Sequence, residues 1–181
     1  MRIIAGALGG RQFDSPGTHR THPMSDKMRG ALFNILGDVT GLSILDSFGG
    51  SGALGFEALS RGADKVVVIE TDEPAHRVIQ RNIERLGLHT YTKSINASAN
   101  AWLQTNPDDI FDVVLCDPPY DDLQPELLAH LAERVTEEGI FVLSYPAGKQ
   151  LPDFTGLQQV KQKAYGDSQL VFYKRIDPSS S

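Results

Sequence analysis

An apolar run, Val113-Val114-Leu115-Cys116, ends abruptly in Asp117-Pro118-Pro119-Tyr120. These four residues suit one chemical task, holding a flat ring by its amine against an electrophile. Asp117 can accept a hydrogen bond from an exocyclic amine. Pro118 and Pro119 stiffen the turn and remove N–H groups that would compete for its carbonyls. Tyr120 offers a ring face on which a nucleobase can stack, worth roughly 1–3 kcal/mol. Asp and Pro are also ordinary turn residues, so the reading needs a second site beside it.

That second site is Asp46-Ser47-Phe48-Gly49-Gly50-Ser51-Gly52-Ala53-Leu54-Gly55. Gly50 and Gly52 let the backbone approach a ligand with no Cβ in the way. Glu70, at the end of the next apolar run, suits the two hydroxyls of a ribose. Gly50-x-Gly52-x-x-Gly55 followed by Glu70 also satisfies the dinucleotide fingerprint, so NAD and S-adenosylmethionine both fit the string. Two features favour S-adenosylmethionine. Asp46 stands where a carboxylate would repel a pyrophosphate but suits a cationic sulfonium with an amino-acid tail. The Asp-Pro-Pro-Tyr turn suits a base, whereas no acid for hydride transfer stands out.

Strand, glycine turn and helix repeat from Leu42 onward. Strands are expected at Ser43–Asp46, Lys65–Glu70, Tyr91–Ile95, Phe111–Cys116 and Gly139–Ser144. Helices are expected at Ala53–Arg61, from near Pro74 to Leu86, at Ala99–Leu103 and from Pro125 to Val135. Only Gly166-Asp167-Ser168 separates Leu157–Tyr165 from Gln169–Lys174, a hairpin signal. The pattern predicts an α/β fold, a doubly wound, mostly parallel seven-stranded sheet closed by an antiparallel hairpin. In such a sheet the glycine loop lies at the carboxyl ends of the strands, near the switch point. Ahead of it, Arg2–Ala5 and Gly10–Phe13 read as a short β-hairpin, and Ser15–Pro23 as a loop. Ser25 is placed to cap a helix carrying Met28, Ala31, Leu32, Ile35 and Leu36 at helical spacing, with Gly37 at its end. One domain over residues 1–181 is expected: a basic extension at 1–37, a catalytic core at 38–176 and a frayed tail at 177–181.

Hydrophobic residues make up 40% and charged residues 22%, which places the chain among ordinary soluble globular proteins. No apolar run reaches the length of a membrane span, and no signal-peptide core is present. The single cysteine excludes an internal disulfide framework and fits a cytoplasmic location. A net charge of −6 argues against a nucleic-acid partner until its distribution is read. Residues 1–37 hold five basic residues (Arg2, Arg11, Arg20, Lys27, Arg29) against two acidic ones, net +3, and the remainder is −9. A basic arm on an acidic body fits RNA binding through one face, while a solvated surface is the plainer reading of charge alone.

With both motifs placed, the chain resembles the class I S-adenosylmethionine-dependent (Rossmann-like) methyltransferases. More closely, it is similar to the small bacterial 16S rRNA (guanine-N2)-methyltransferases that modify guanine 966. The resemblance rests on Arg2-Ile3-Ile4-Ala5-Gly6 with Gly10-Arg11, on Pro23-x-Ser25-Asp26-Lys27-x-Arg29 through Leu36, on Leu45 through Ala63, and on the Asp-Pro-Pro-Tyr turn. It implies S-adenosylmethionine as cofactor and methyl transfer to a guanine amine of 16S rRNA, within the 30S subunit. It further implies that Asp46, Phe48, Gly50 and Gly52 cradle the methionine part, with Glu70 on the ribose and Asp117 shared with the base. Ser98 stands where the family has Asp or Asn near the adenine, a contact that passes to the Ala99 backbone. Gly49 replaces the usual Ala, and His22 and Met24 flank Pro23 where Arg and Thr are typical. Catalysis falls to Asp117, Pro118, Pro119 and Tyr120.

Cys116 reads as a core residue rather than a nucleophile. His19 and His22 are three apart with no further ligands at metal-site spacing, so no metal is expected. His76, His89 and His130 read as surface residues, Trp102 and Phe111 as core, and the protein as a monomer. Two rivals stay open: an amino-methyltransferase of DNA adenine or another RNA base, and a non-catalytic RNA-binding module on the same scaffold.

Overall fold

The protein is described by a computed structural model covering residues 1–17 and 23–180. Seven strands form one sheet: β1 (Ser43–Asp46), β2 (Lys65–Glu70), β3 (Thr92–Asn96), β4 (Phe111–Cys116), β5 (Val135–Pro146), β6 (Leu157–Tyr165) and β7 (Ser168–Arg175). Their order across the sheet is β3-β2-β1-β4-β5-β7-β6. The first five are parallel, and β7 runs antiparallel between β5 and β6. The reversal of strand order at β1 and β4 creates the crevice expected of a doubly wound sheet.

Apolar runs in the central strands serve two cores at once. Ile44, Val66, Val68, Val113, Leu115 and Val142 face one helical layer, while Leu45, Ile69, Val114, Cys116, Phe141 and Leu143 face the other. Side chains alternate across the sheet, so strands covered on both sides must be apolar at nearly every position. The first layer holds α1 (Asp26–Leu36), α2 (Ala53–Ser60) and α3 (Glu73–Leu86). The second holds α4 (Ala99–Thr105) and α5 (Pro125–Ala132). Trp102 and Phe111 pack there with ring centroids 6.0 Å apart. Among the described residues no helix is long and apolar enough to cross a membrane.

Helix boundaries follow local chemistry. Ser25 caps α1 by accepting the Met28 N–H, and Gly37, at φ +84°, ends it. Asp72 caps α3 by accepting the Ala75 N–H, and Gly87 closes that helix in the left-handed region. At the other end of the chain, residues 178–180 form a 3-10 turn, with Ser179 donating to Asp177.

Four expectations are corrected. The N-terminal hairpin is shorter than expected: around the antiparallel Arg2–Gln12 bridge, Ile3 N–H donates to the Arg11 carbonyl and Phe13 N–H to the Met1 carbonyl, and pairing stops before Ile4. The donors beyond that pairing go to α2: Ile4 and Ala5 N–H to the Glu57 carboxylate, Ala7 N–H to the Ser60 carbonyl, and Leu8 N–H to the Ser60 hydroxyl. The arm is therefore sewn to α2 as well as to itself. The α5 helix stops at Ala132, and β5 begins at Val135 instead of Gly139, because Val135 pairs with Phe111 ahead of a register shift. His76 is buried, not at the surface, since it faces inward on α3 among Ala75, Val78 and Ile79. Arg29, expected on an RNA-binding surface, is fully buried. Its guanidinium donates to the Arg2 carbonyl at 2.7 Å and to Asp26 at 3.0 Å, and it lies 3.8 Å from Glu57. That removes it from any set of RNA contacts.

Candidate active site

Asp46 and Glu70 end β1 and β2, and Asp117 follows the last residue of β4. All three stand at the carboxyl edge of adjacent strands, because Asp46 pairs with both Val68 and Leu115. By the two-residue alternation they also share the parity of the face packed against α2. The crevice at the switch point is thus rimmed by carboxylates.

Asp46 is fully buried, and among the described residues neither of its oxygens meets a donor at full hydrogen-bond geometry, though the Gly55 and Phe48 N–H groups lie nearby. Burial first, then the nearby Asp117 charge, push its pKa up to about 7, against the opposing effect of the Gly55 and Phe48 backbones. A buried acceptor without a donor is unfavourable by roughly 1–3 kcal/mol or more, and a cationic ligand would relieve it. Glu70 is pushed upward by burial. Its two oxygens accept the Gly50 N–H at 2.6 Å and the Asp72 N–H at 2.7 Å. This carboxylate therefore locks the glycine loop to the end of β2, and its remaining lone pairs stay available to hydroxyls.

The loop itself tolerates no side chains at two positions. A Cβ on Gly52, at φ +80°, would lie 2.7 Å from the Phe56 ring. On Gly49 it would lie 2.5 Å from Val68 and 3.1 Å from the Ile69 carbonyl. Glycine at position 49 therefore fits a loop pressed hard against β2.

At the Asp-Pro-Pro-Tyr turn, Pro118 is buried and Pro119 exposed. The Pro119 carbonyl accepts the Asp122 N–H at 3.0 Å, whereas the Pro118 carbonyl takes no backbone donor among the described residues. Tyr120 is half-buried, and its hydroxyl lies 2.6 Å from the Ser144 hydroxyl. Asp117 keeps part of its surface open, yet burial of its carboxyl raises the pKa to about 6, against the opposing effect of the nearby Ser144 hydroxyl. The turn ends at Gln124, which holds a left-handed φ of +44° as the cap of α5, a strained conformation for a non-glycine residue.

The structure brings Asp46, Phe48, Gly50, Gly52, Glu70, Asp117, Pro118, Pro119 and Tyr120 to one rim. Ser98 sits close by, but its hydroxyl caps α4 by accepting the Ala101 N–H at 3.1 Å, and Ala99 is buried behind it. Arg2, Arg11 and Lys27 are exposed on the N-terminal side, with Arg2 paired to Asp26 and Arg11 donating to the Arg85 carbonyl. Arg20, His19 and His22 lie outside the described residues. Cys116 is buried, which pushes its thiol pKa up and leaves it inert.

Three residues escaped the sequence reading. Asn96 donates to the Glu70 and Thr71 carbonyls and ties β3 to the end of β2. Glu57, buried on α2, gathers the N-terminal arm. Ser144 is the one polar residue in the stretch Ile140–Tyr145. That isolation was the available signal, since a buried hydroxyl is nearly always hydrogen-bonded.

A parallel sheet ending in a reversed hairpin, with an acid-lined glycine crevice beside an Asp-Pro-Pro-Tyr turn, is the fold of the class I methyltransferases. Solved structures agree: yhhF of Escherichia coli superposes with a TM-score of 0.86 at 28% identity, covering 97% of each chain. Within that class the chain belongs to the family described as Conserved hypothetical protein 95, whose model matches residues 1–174. It is 29% identical to YlbH of Bacillus subtilis (strain 168) over 182 residues, 97% of this chain and 99% of that protein. It is 37% identical to Ribosomal RNA small subunit methyltransferase D of Haemophilus influenzae over 123 residues, 66% of this chain and 64% of that relative's length.

Proposed function

We propose that this protein transfers a methyl group from S-adenosylmethionine to the exocyclic N2 amine of a guanine in 16S rRNA, with the 30S particle as substrate. The observation that carries the proposal is the adjacency of the unpartnered, buried Asp46 to Asp117 at neighbouring strand ends. One site asks for a cation, and the other asks for an amine. S-adenosylmethionine supplies the electrophilic methyl group and fits the crevice by charge, by the bare glycine backbone and by the acceptor capacity left on Glu70.

The chain's own residues do the rest. Asp46 balances the positive charge of the donor, and Glu70 holds the ribose while fixing the loop. Asp117 and the Pro118 carbonyl accept the two amine N–H groups, which withdraws them from the ring and aims the nitrogen lone pair at the methyl carbon. Tyr120 takes the base, extruded from its stack, on its ring face. Orientation of this kind lowers a barrier by several kcal/mol. No covalent intermediate on the protein is required.

The test is incubation of the protein and labelled donor with undermethylated 30S subunits, free 16S rRNA and duplex DNA, followed by nucleoside mapping. Label on guanine N2 of the 30S rRNA is expected. Label confined to adenine, to DNA or to protein would overturn the assignment.

A further inference from the structure

We propose that Lys161 and Lys163, on the outer strand β6, bind phosphates of the RNA strand that leads away from the target base. The inference rests on the rRNA substrate proposed above and assigns it a further surface.

The register of the sheet places these lysines. Cys116 of β4 pairs with Leu143 of β5, so the next residues, Asp117 and Ser144, adjoin at the strand ends. Ser144 pairs with Leu170 of β7, and Leu170 pairs with Lys163 of β6. Asp117 and Lys163 therefore stand in one row, three strand spacings or about 14 Å apart. Lys161 pairs with Phe172. Leu170 and Phe172 belong to the core on the α1 and α2 side, and paired residues share a face. Both lysines thus lie on the face that Asp117 shares.

β6 is an edge of the sheet, and every residue from Gln158 to Ala164 is exposed. The strand carries no acid. Lysines on an edge strand also block aggregation, but for that purpose either face would serve. Here the opposite face holds Gln162 and Ala164, both uncharged, paired with Val171 and Gln169. Lys163 Nζ lies 5.4 Å from the centre of the Tyr165 ring. Tyr165 pairs with Ser168, and Ser168 with Pro146, so the Lys163 charge is held toward the rim. Lys149 is exposed in the turn beyond Pro146, and the Ala147 N–H donates to the Asp167 carbonyl at 2.8 Å, tying that turn to the hairpin tip.

Among the described residues none of Lys149, Lys161 and Lys163 pairs with a carboxylate, whereas Lys174, at the far end of β7, lies 3.7 Å from Glu138. On a chain of net charge −6, unpaired cations running from the rim to the sheet edge fit a polyanion laid along that path. Such contacts fix register and orientation and leave base choice to the pocket.

The experiment measures equilibrium binding of 16S rRNA, without donor, across a salt series. It compares Lys161→Gln, Lys163→Gln and their double variant with the parent. Lys65→Gln, at the amino end of β2, and Gln162→Lys, on the opposite face of β6, are the controls. Each β6 lysine lost should flatten the dependence of log affinity on log salt by roughly 0.7–0.9, and neither control should change it. On 30S subunits the double variant should raise KM and keep kcat, with donor affinity unchanged by titration calorimetry. A parent slope in the double variant, or an equal change in Lys65→Gln, overturns the proposal. Self-association of the double variant in sedimentation, with RNA binding intact in both single variants, also overturns it, because the lysines then only guard the edge. A slope that depends on β6 without label on guanine would sink the reaction and leave this surface standing. Label on guanine with the parent slope in the double variant would do the reverse.

Discussion

The Arg29 guanidinium lies 3.8 Å from the Glu57 carboxylate, and both side chains are fully buried. Glu57 also accepts Arg61 Nε at 2.8 Å and the N–H groups of Ile4 and Ala5. One acid on the helix that follows the glycine loop thus holds the arm, α1 and its own C-terminus together. Removing one partner of such a pair leaves a buried charge uncompensated, which costs about 3–5 kcal/mol. Glu57→Ala should therefore lower stability by that amount in denaturant unfolding, with hydrogen exchange rising first in residues 3–8. An unchanged midpoint would contradict this.

Asp46 should behave as a destabilising group in the donor-free protein. Its folded pKa is raised from 3.8 to about 7. A raised carboxylate favours the fold at low pH, and that contribution is lost as pH climbs through the folded value. At 1.36 kcal/mol per pH unit the loss reaches about 4 kcal/mol above pH 7. Asp46→Asn should then raise Tm by calorimetry more at pH 8 than at pH 5, while weakening donor binding in titration calorimetry. Equal Tm gains at both pH values would refute the buried charge.

Activity should depend on the ionised form of Asp117. With its pKa raised to about 6 by burial, kcat/KM should increase as pH rises through that value and then level off. Asp117→Asn should abolish the acid limb and reduce turnover roughly 100-fold or more, with donor affinity kept within a few-fold in a binding assay.

Gly52→Ala tests the loop. The added methyl would meet the Phe56 ring at 2.7 Å, and φ +80° already disfavours any side chain. A loss of about 1–3 kcal/mol in stability is expected, together with weaker donor binding by calorimetry. Wild-type donor affinity in the folded variant would show that the loop has slack.

For RNA, the exposed Arg11 and Lys27 separate from the buried Arg29. Arg11→Ala and Lys27→Ala should each weaken RNA binding and flatten its dependence on the logarithm of salt by roughly 0.7–0.9 per lost phosphate contact. Lys93→Ala, on the outer strand β3, serves as the control. The same slope in all three would move the RNA to another face.

Local chemistry made most of this legible in the sequence. Turn residues and the two-residue and helical periodicities placed all seven strands and the five main helices, because those signals act within one or two turns of chain. Residue types at the strand ends likewise marked Asp46, Glu70 and Asp117 as one site, since a parallel sheet brings its carboxyl ends to a common rim. What the sequence left open depended on partners distant along the chain. Arg29 and Lys27 are both cations on α1, and only the packing of α1 against Glu57 decides which one is buried. Ser144 is an ordinary polar residue until the pairing of β4 with β5 sets it beside Asp117. The arm's hairpin is cut short for the same reason: side chains 52 or more residues away along the chain claim the N–H groups of Ile4, Ala5 and Leu8, and a hydrogen bond depends on distance in space, not along the chain.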